Sequence, residues 1–193
     1  MSLVSIVATH EFVSLMGDGR GVHSEDINTI VSEELQKVYK INDKVIVGFA
    51  GSDAVREIVM KNIEIFDTQS AQKFAKALFD NIGKGKVNKY FFNIIGGVDD
   101  DDNIYFALFQ TDSMKLVEIR PKMGEIHSFC NSTNYSKPQN PQSILKTLIN
   151  DYCRSHKHFG IEACLDIQKR FNEKIVDIDK TVNHNTLSFQ IYK

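Results

Sequence analysis

The chain is predicted to adopt an α+β fold: a four-layer αββα sandwich of two antiparallel sheets flanked by helix pairs. Three observations lead there. The element order along the 193 residues is strands, two helices, strands, two helices and a last strand. The strands are short apolar runs joined by turn residues, the pattern of antiparallel pairing. Each helical segment carries one apolar face, and two sheets packed face to face with a helix pair outside each would bury all of them. No repeat, linker or low-complexity segment interrupts this order, so one domain is expected over 1–193.

The elements follow from local chemistry. Val4–Ala8 and Phe12–Met16 are apolar runs separated by Thr9–Glu11, which predicts a hairpin. Gly17-Asp18-Gly19-Arg20-Gly21 ends the second strand, because three glycines in five residues weaken a pleated strand. Lys37–Ile41 alternates, Asn42-Asp43 marks a turn, and Lys44–Ala50 is nearly all apolar, as in a strand covered on both faces. After Gly51 the period changes. Val55, Ile58, Val59 and Phe66 recur at helical spacing, with Ser52 or Asp53 as the N-cap. Ala71, Phe74, Ala75, Leu78 and Ile82 make one face of a second helix, stopped by Gly83-Lys84-Gly85.

Three strands come next, over Tyr90–Ile95, Ile104–Phe109 and Leu116–Ile119, joined by Gly96–Asn103 and Thr111–Met114. The four consecutive carboxylates Asp99–Asp102 read as a solvated turn rather than a metal site. Ile144, Leu145, Leu148, Ile149 and Tyr152 form one amphipathic helix, and Cys164, Ile167, Phe171 and Ile175 another. Leu187–Ile191 closes the chain as a strand.

Composition narrows the function. With 23 basic and 25 acidic side chains the net charge is −2, which lacks the footprint of a nucleic-acid binder. No run of eighteen apolar residues is present, so no membrane partner is expected. The segment MSLVSIVATHEF has no basic start, so no signal peptide is expected either. Three separated cysteines do not make a disulfide framework, and a cytoplasmic, reducing setting follows. Cys130, Cys153 and Cys164 form no Cys-x-x-Cys pair. His156 and His158 lack the i,i+4 spacing of zinc ligands on a helix. No cofactor or metal is expected. Gly17–Gly21 is not a dinucleotide loop, because no amphipathic helix starts directly after it.

The order and spacing of three signatures carry a resemblance. They are the hairpin leading into Gly17-Asp18-Gly19, then Lys37-Val38 with Ile41-Asn42, then Gly48-Phe49-Ala50-Gly51 opening a helix. Asn42–Ile46 and Phe91–Gly97 add to them. The chain thereby resembles the proteasome β subunits and the HslV-type protease, members of the N-terminal-nucleophile hydrolases. The resemblance implies hydrolysis of peptide or other amide bonds by acyl transfer. A residue-1 hydroxyl attacks, and its own α-amino group, with a pKa of about 8, accepts the proton. Carried onto this sequence, the lysine beside the nucleophile matches Lys37, and its carboxylate partner matches Asp18. The oxyanion N–H matches Gly51, where a missing Cβ lets a carbonyl approach. Counting back from Asp18 without a gap puts the nucleophile at Ser2, exposed once Met1 is removed; alignment on the strand pattern puts it at Met1 instead.

The resemblance also implies a homo-oligomer built of rings, with an ATPase as a candidate partner. Two departures favour a second reading, a catalytically silent subunit that acts through assembly. Phe129-Cys130-Asn131-Ser132 stands where the family has a Gly-Ser-Gly turn after a strand matching Glu125–Phe129. Lys180–Asn185 stands where the family has Asp-x-x-Ser-Gly. A small-molecule amidase is a third, remoter reading.

Overall fold

The protein, seen in a computed structural model, is described over residues 3–22, 26, 28–51, 53–65, 69–84, 91–110, 115–131 and 140–193. At 53–55, 62, 65, 83 and 84 only the backbone is described. Ser2, Ser52, Phe66, Tyr90, Thr111–Met114 and Ser132 lie outside the described residues, as do the expectations attached to them.

The elements run in the predicted order. A hairpin of β1 (Val4–Ala8) and β2 (Phe12–Asp18) is followed by two short strands, β3 (Gly21–Val22) and β4 (Ile30–Ser32). Then come β5 (Val38–Asn42), β6 (Val45–Gly51), α1 (Asp53–Ile65) and α2 (Ala71–Lys84). The strands β7 (Phe91–Val98), β8 (Ile104–Gln110), β9 (Val117–Ile119) and β10 (His127–Cys130) precede α3 (Pro141–Ser155) and α4 (Ile161–Val176). The last strand is β11 (Thr186–Tyr192). Among the described residues no helix is long and apolar enough to cross a membrane.

The sheets are antiparallel, in the orders β10-β1-β2-β11 and β5-β6-β7-β8-β9, with β3-β4 as a separate ribbon. Side chains alternate across a strand, so each sheet has two faces. Val4, Ile6, Val13 and Leu15 from one sheet share a buried cluster with Ile46, Ile94 and Phe106 from the other. The opposite face of the five-stranded sheet supplies Val47, Phe49, Ile95 and Phe109, packed with Val59, Phe74 and Leu78 of α1 and α2. The other face of the four-stranded sheet supplies Val7 and Phe12, packed with Leu145, Ile167 and Phe171 of α3 and α4. Where they are described, the helix faces predicted from periodicity are therefore packed ones. Buried polar contacts through Gln168 cross the last interface: Ser14 Oγ donates to its Oε1 at 2.7 Å, and its Nε2 donates to Ser5 Oγ at 3.3 Å.

Two glycines let the sheets approach. A Cβ on Gly48 would stand 2.7 Å from Val4 Cγ1 and 3.0 Å from Leu15 Cδ2. One on Gly96 would stand 2.8 Å from Val13 Cγ2. The second position also explains a difference from the sequence reading. Gly96 and Gly97 lie inside β7 and do not open a loop. Gly96 faces the large residues of the opposing sheet, and Gly97 faces the Lys44 backbone and Ala71 of α2.

The acidic turn also differs from expectation. Asp100–Asp102 are exposed, but Asp99 is buried. Its carboxylate accepts the N–H groups of Asp101 and Asn103 at 3.0 and 2.9 Å and the Arg120 Nε–H at 2.7 Å. Burial acts to raise its pKa. The Arg120 hydrogen bond and the two N–H groups outweigh it and hold the carboxyl below its ordinary value. Asp99 thus closes the turn from inside.

Two outcomes are expected. Gly48→Ala should lose about 1–3 kcal/mol in urea denaturation through overpacking, whereas Met123→Ala, at a site 83% exposed, should change little. Asp99→Asn should also destabilise, and its deficit should depend on acid. A depressed carboxyl contributes fully above its unfolded pKa of about 3.9 and loses that contribution as pH falls through its folded value. The gap between wild type and Asp99→Asn should therefore narrow below about pH 4.

Candidate active site

Antiparallel pairing brings several strand ends to one place. Leu3 precedes β1, and Asp18 ends β2 beside it, its N–H donating to the Leu3 carbonyl at 3.1 Å. Lys37 precedes β5 and Gly51 ends β6, the antiparallel neighbour of β5. The Phe49 N–H donates to the Lys37 carbonyl at 3.0 Å, and Gly51 lies two residues further along.

Lys37 is 1% exposed and Asp18 is 2% exposed. A lysine at the head of an alternating strand usually reaches water, so this burial needs a cause. The stem passes over β2 at Gly17, where a Cβ would stand 3.3 Å from Lys37 Cβ. The ammonium then donates to Asp18 Oδ1 at 2.7 Å and to the Arg20 carbonyl. Asp18 is equally well supplied. Its Oδ1 also accepts the Leu3 N–H at 2.7 Å, and its Oδ2 accepts the Arg20 N–H at 2.8 Å. A buried ion pair is tolerated when further hydrogen bonds support both charges, and here the Arg20 carbonyl supports Lys37 while the Leu3 and Arg20 N–H groups support Asp18. Burial is the main influence on Lys37 and lowers its pKa below that of an ordinary lysine, with Asp18 acting in the opposite sense.

Two asparagines that sequence reasoning did not single out complete the surroundings. Asn131, just after β10, accepts the Val4 N–H at its Oδ1 (2.7 Å) and donates its backbone N–H to the Val4 carbonyl at 3.2 Å. It clamps the start of β1 from the side opposite β2. Asn183, between α4 and β11, accepts the Gly19 N–H at 3.0 Å. Both sit in the two segments, Phe129–Ser132 and Lys180–Asn185, singled out above as departures from the family that the sequence resembles, and the only signal for them was that position.

Of the four predicted site residues, Asp18 and Lys37 are in direct contact. Gly51 lies at the same end of the β5–β6 pair with φ of 140°, a conformation that favours glycine, and it is exposed. Ser2 lies outside the described residues. It directly precedes Leu3, whose N–H is bonded to the same Asp18 oxygen that holds Lys37. A fixed buried cation next to a strand start can stabilise negative charge or depress the pKa of an amine placed there.

Other reactive groups are poorly suited to the same task. Burial pushes the Cys130 and Cys164 thiols up to about 12, which keeps them protonated at neutral pH. Among the described residues no three His, Cys, Asp or Glu side chains gather as a metal site would require.

No family model matches the chain, and no curated protein does. A solved structure does match. Eukaryotic HslV from Trypanosoma brucei aligns over 99% of this chain and 99% of its own, at 18% identity and a TM-score of 0.60. The fold is HslV-like. The α+β reading with antiparallel sheets and four helices is thus met by the structure and by this neighbour. The HslV-like fold accounts for the full length of the chain, the final strand included.

Breaking the central pair should be costly. Asp18→Asn keeps the shape and leaves Lys37 without a counter-charge, and a loss of about 3–5 kcal/mol in unfolding free energy is expected. The double variant Asp18→Asn/Lys37→Met should lose clearly less than the two single losses added, because the groups act as a unit. Urea denaturation of the four proteins checks this.

Proposed function

We propose that the chain is a proteasome/HslV-like N-terminal-nucleophile hydrolase that cleaves peptide or other amide bonds by acyl transfer. In this reading residues 1–193 form one domain, a four-layer αββα sandwich. The observation that carries the proposal is the buried Lys37–Asp18 pair, fastened to the N–H of Leu3. An interior ion pair of this kind adds little stability by itself, and here it is bonded to Leu3, which follows the residue expected to react in the sequence.

The chemistry runs as follows. Removal of Met1 exposes Ser2 as the first residue. Its α-amine takes the hydroxyl proton as Oγ attacks the carbonyl carbon of the substrate amide. The oxyanion is received by the Gly51 N–H, the role suited to a glycine at a strand end with open access. The tetrahedral adduct collapses, the C–N bond breaks, and the protonated α-amine returns the proton to the leaving amine. Water then attacks the resulting ester with the same amine as base, releasing the acid and restoring Ser2. Lys37 keeps the amine neutral and the hydroxyl acidic, and Asp18 holds Lys37.

The silent-subunit reading draws on a specific observation too. The Asn131 and Lys180–Asn185 segments lack the family's supporting motifs while still holding the fold together. Under either reading the protein assembles as a homo-oligomeric ring in the cytoplasm, with an ATPase as the partner to seek. The near-neutral charge of −2 suits packing between copies.

Intact mass and probe labelling test the proposal. The natively produced protein should have lost Met1 and should gain the mass of one β-lactone or epoxyketone probe at Ser2. Ser2→Ala and Lys37→Ala should abolish labelling, with Lys37→Ala checked for folding. Retained Met1, or wild-type protein that stays unlabelled, would overturn the hydrolase and leave the assembly role.

A further inference from the structure

The Asp18-Gly19-Arg20 turn wraps the Lys37 ammonium: Asp18 offers Oδ1 on one side and Arg20 its carbonyl on the other. The middle residue, Gly19, touches Lys37 with neither group. Its N–H faces away, toward the loop between α4 and β11, where it meets the Asn185 carbonyl at 2.7 Å and Asn183 Oδ1 at 3.0 Å. Its carbonyl accepts the Leu35 N–H at 2.7 Å. A Cβ on Gly19 would stand 2.6 Å from the Glu33 carbonyl oxygen, so the turn is pressed against this support with no slack.

Asn183 uses its side-chain amide and its carbonyl there. Its Nδ2 donates to the Glu33 carbonyl at 2.9 Å and to Glu33 Oε2 at 2.6 Å, and its own carbonyl accepts Asn172 Nδ2 at 2.8 Å. The same Glu33 carboxylate holds the Arg20 side chain, with Nε–Oε2 and Nη2–Oε1 both 3.1 Å. One 5%-exposed amide therefore controls both ends of the wrap: the backbone of the turn through Gly19, and Arg20 through Glu33. An amide suits the place. It must accept from an N–H and donate to a carboxylate, and a carboxylate at 183 would repel Glu33.

We propose that Asn183 is a positioning residue for the Lys37 ammonium, keeping the Asp18 carboxylate and the Arg20 carbonyl closed around it and water out. The inference rests on the hydrolase reading only for its catalytic consequence; the arrangement around Lys37 stands without it. The charged groups that bear on Lys37 are Asp18 and Arg20, with Glu33 behind Arg20.

The test reads Lys37 itself. Side-chain ¹⁵N NMR of lysine-labelled protein, assigned with Lys37→Arg, gives its titration midpoint and the exchange rate of its ammonium hydrogens. In Asn183→Ala the wrap should open and admit water. The midpoint should then rise toward an ordinary lysine by up to about one pH unit, tenfold in proton affinity, and exchange should quicken by about tenfold or more. Asn183→Ser, smaller but still polar, should lie between, and it serves if the alanine variant does not fold. A folded variant in which midpoint and exchange are both unchanged would overturn the proposal, even if its melting temperature had dropped, since that describes a merely structural residue. Loss of probe labelling in the wild type would overturn the hydrolase and leave this result standing.

Discussion

A lysine and an aspartate taken out of water together put the strictest demand on this molecule. Removing either charge from solvent costs several kcal/mol, and mutual attraction repays this only when the other polar valences are satisfied. The demand is met locally and at many points. Asp18 takes donors from Lys37, Leu3 and Arg20, and Lys37 gives to Asp18 and Arg20. The start of β1, the turn after β2 and the approach to β5 are thereby tied to one another. Their placement is a condition of burying the pair.

The frame around the pair has to be equally exact. Gly17 leaves a track for the lysine stem across β2, and Gly48 and Gly96 let the sheets close on Val4, Val13 and Leu15. A larger residue at any of these would separate strands whose ends form the site. Packing and site chemistry therefore share the same positions. Asn131 and Asn183 extend this outward, one clamping Val4 and the other the Gly19 turn.

Much of the fold was legible because it is periodic. The faces Phe74-Leu78-Ile82 and Ile167-Phe171-Ile175 repeat at helical spacing and are buried as that spacing requires. The hairpin of Val4–Ala8 and Phe12–Met16 and the apolar run at Lys44–Ala50 were similarly plain. Illegible were the features with no period. Asp99 sits in a run of four identical residues, and only its neighbours' N–H groups and Arg120 single it out. The ribbon of β3 and β4 is two short pieces in a polar stretch, too brief to show alternation. A lone asparagine such as Asn131 looks like any loop residue until its partner, 127 positions away, is known.

The sequence by itself determined the α+β class and the order of elements, since these depend on local preference and on residue type. Tertiary structure decided that Lys37 is buried and not solvated, that Asp18, the partner the resemblance implied, meets its ammonium in the interior, and that Asn183 stands behind their turn. Those facts depend on contacts between segments 15 to 164 residues apart. The cost of burying charge is set by what surrounds it in space, and only the folded chain brings those surroundings together.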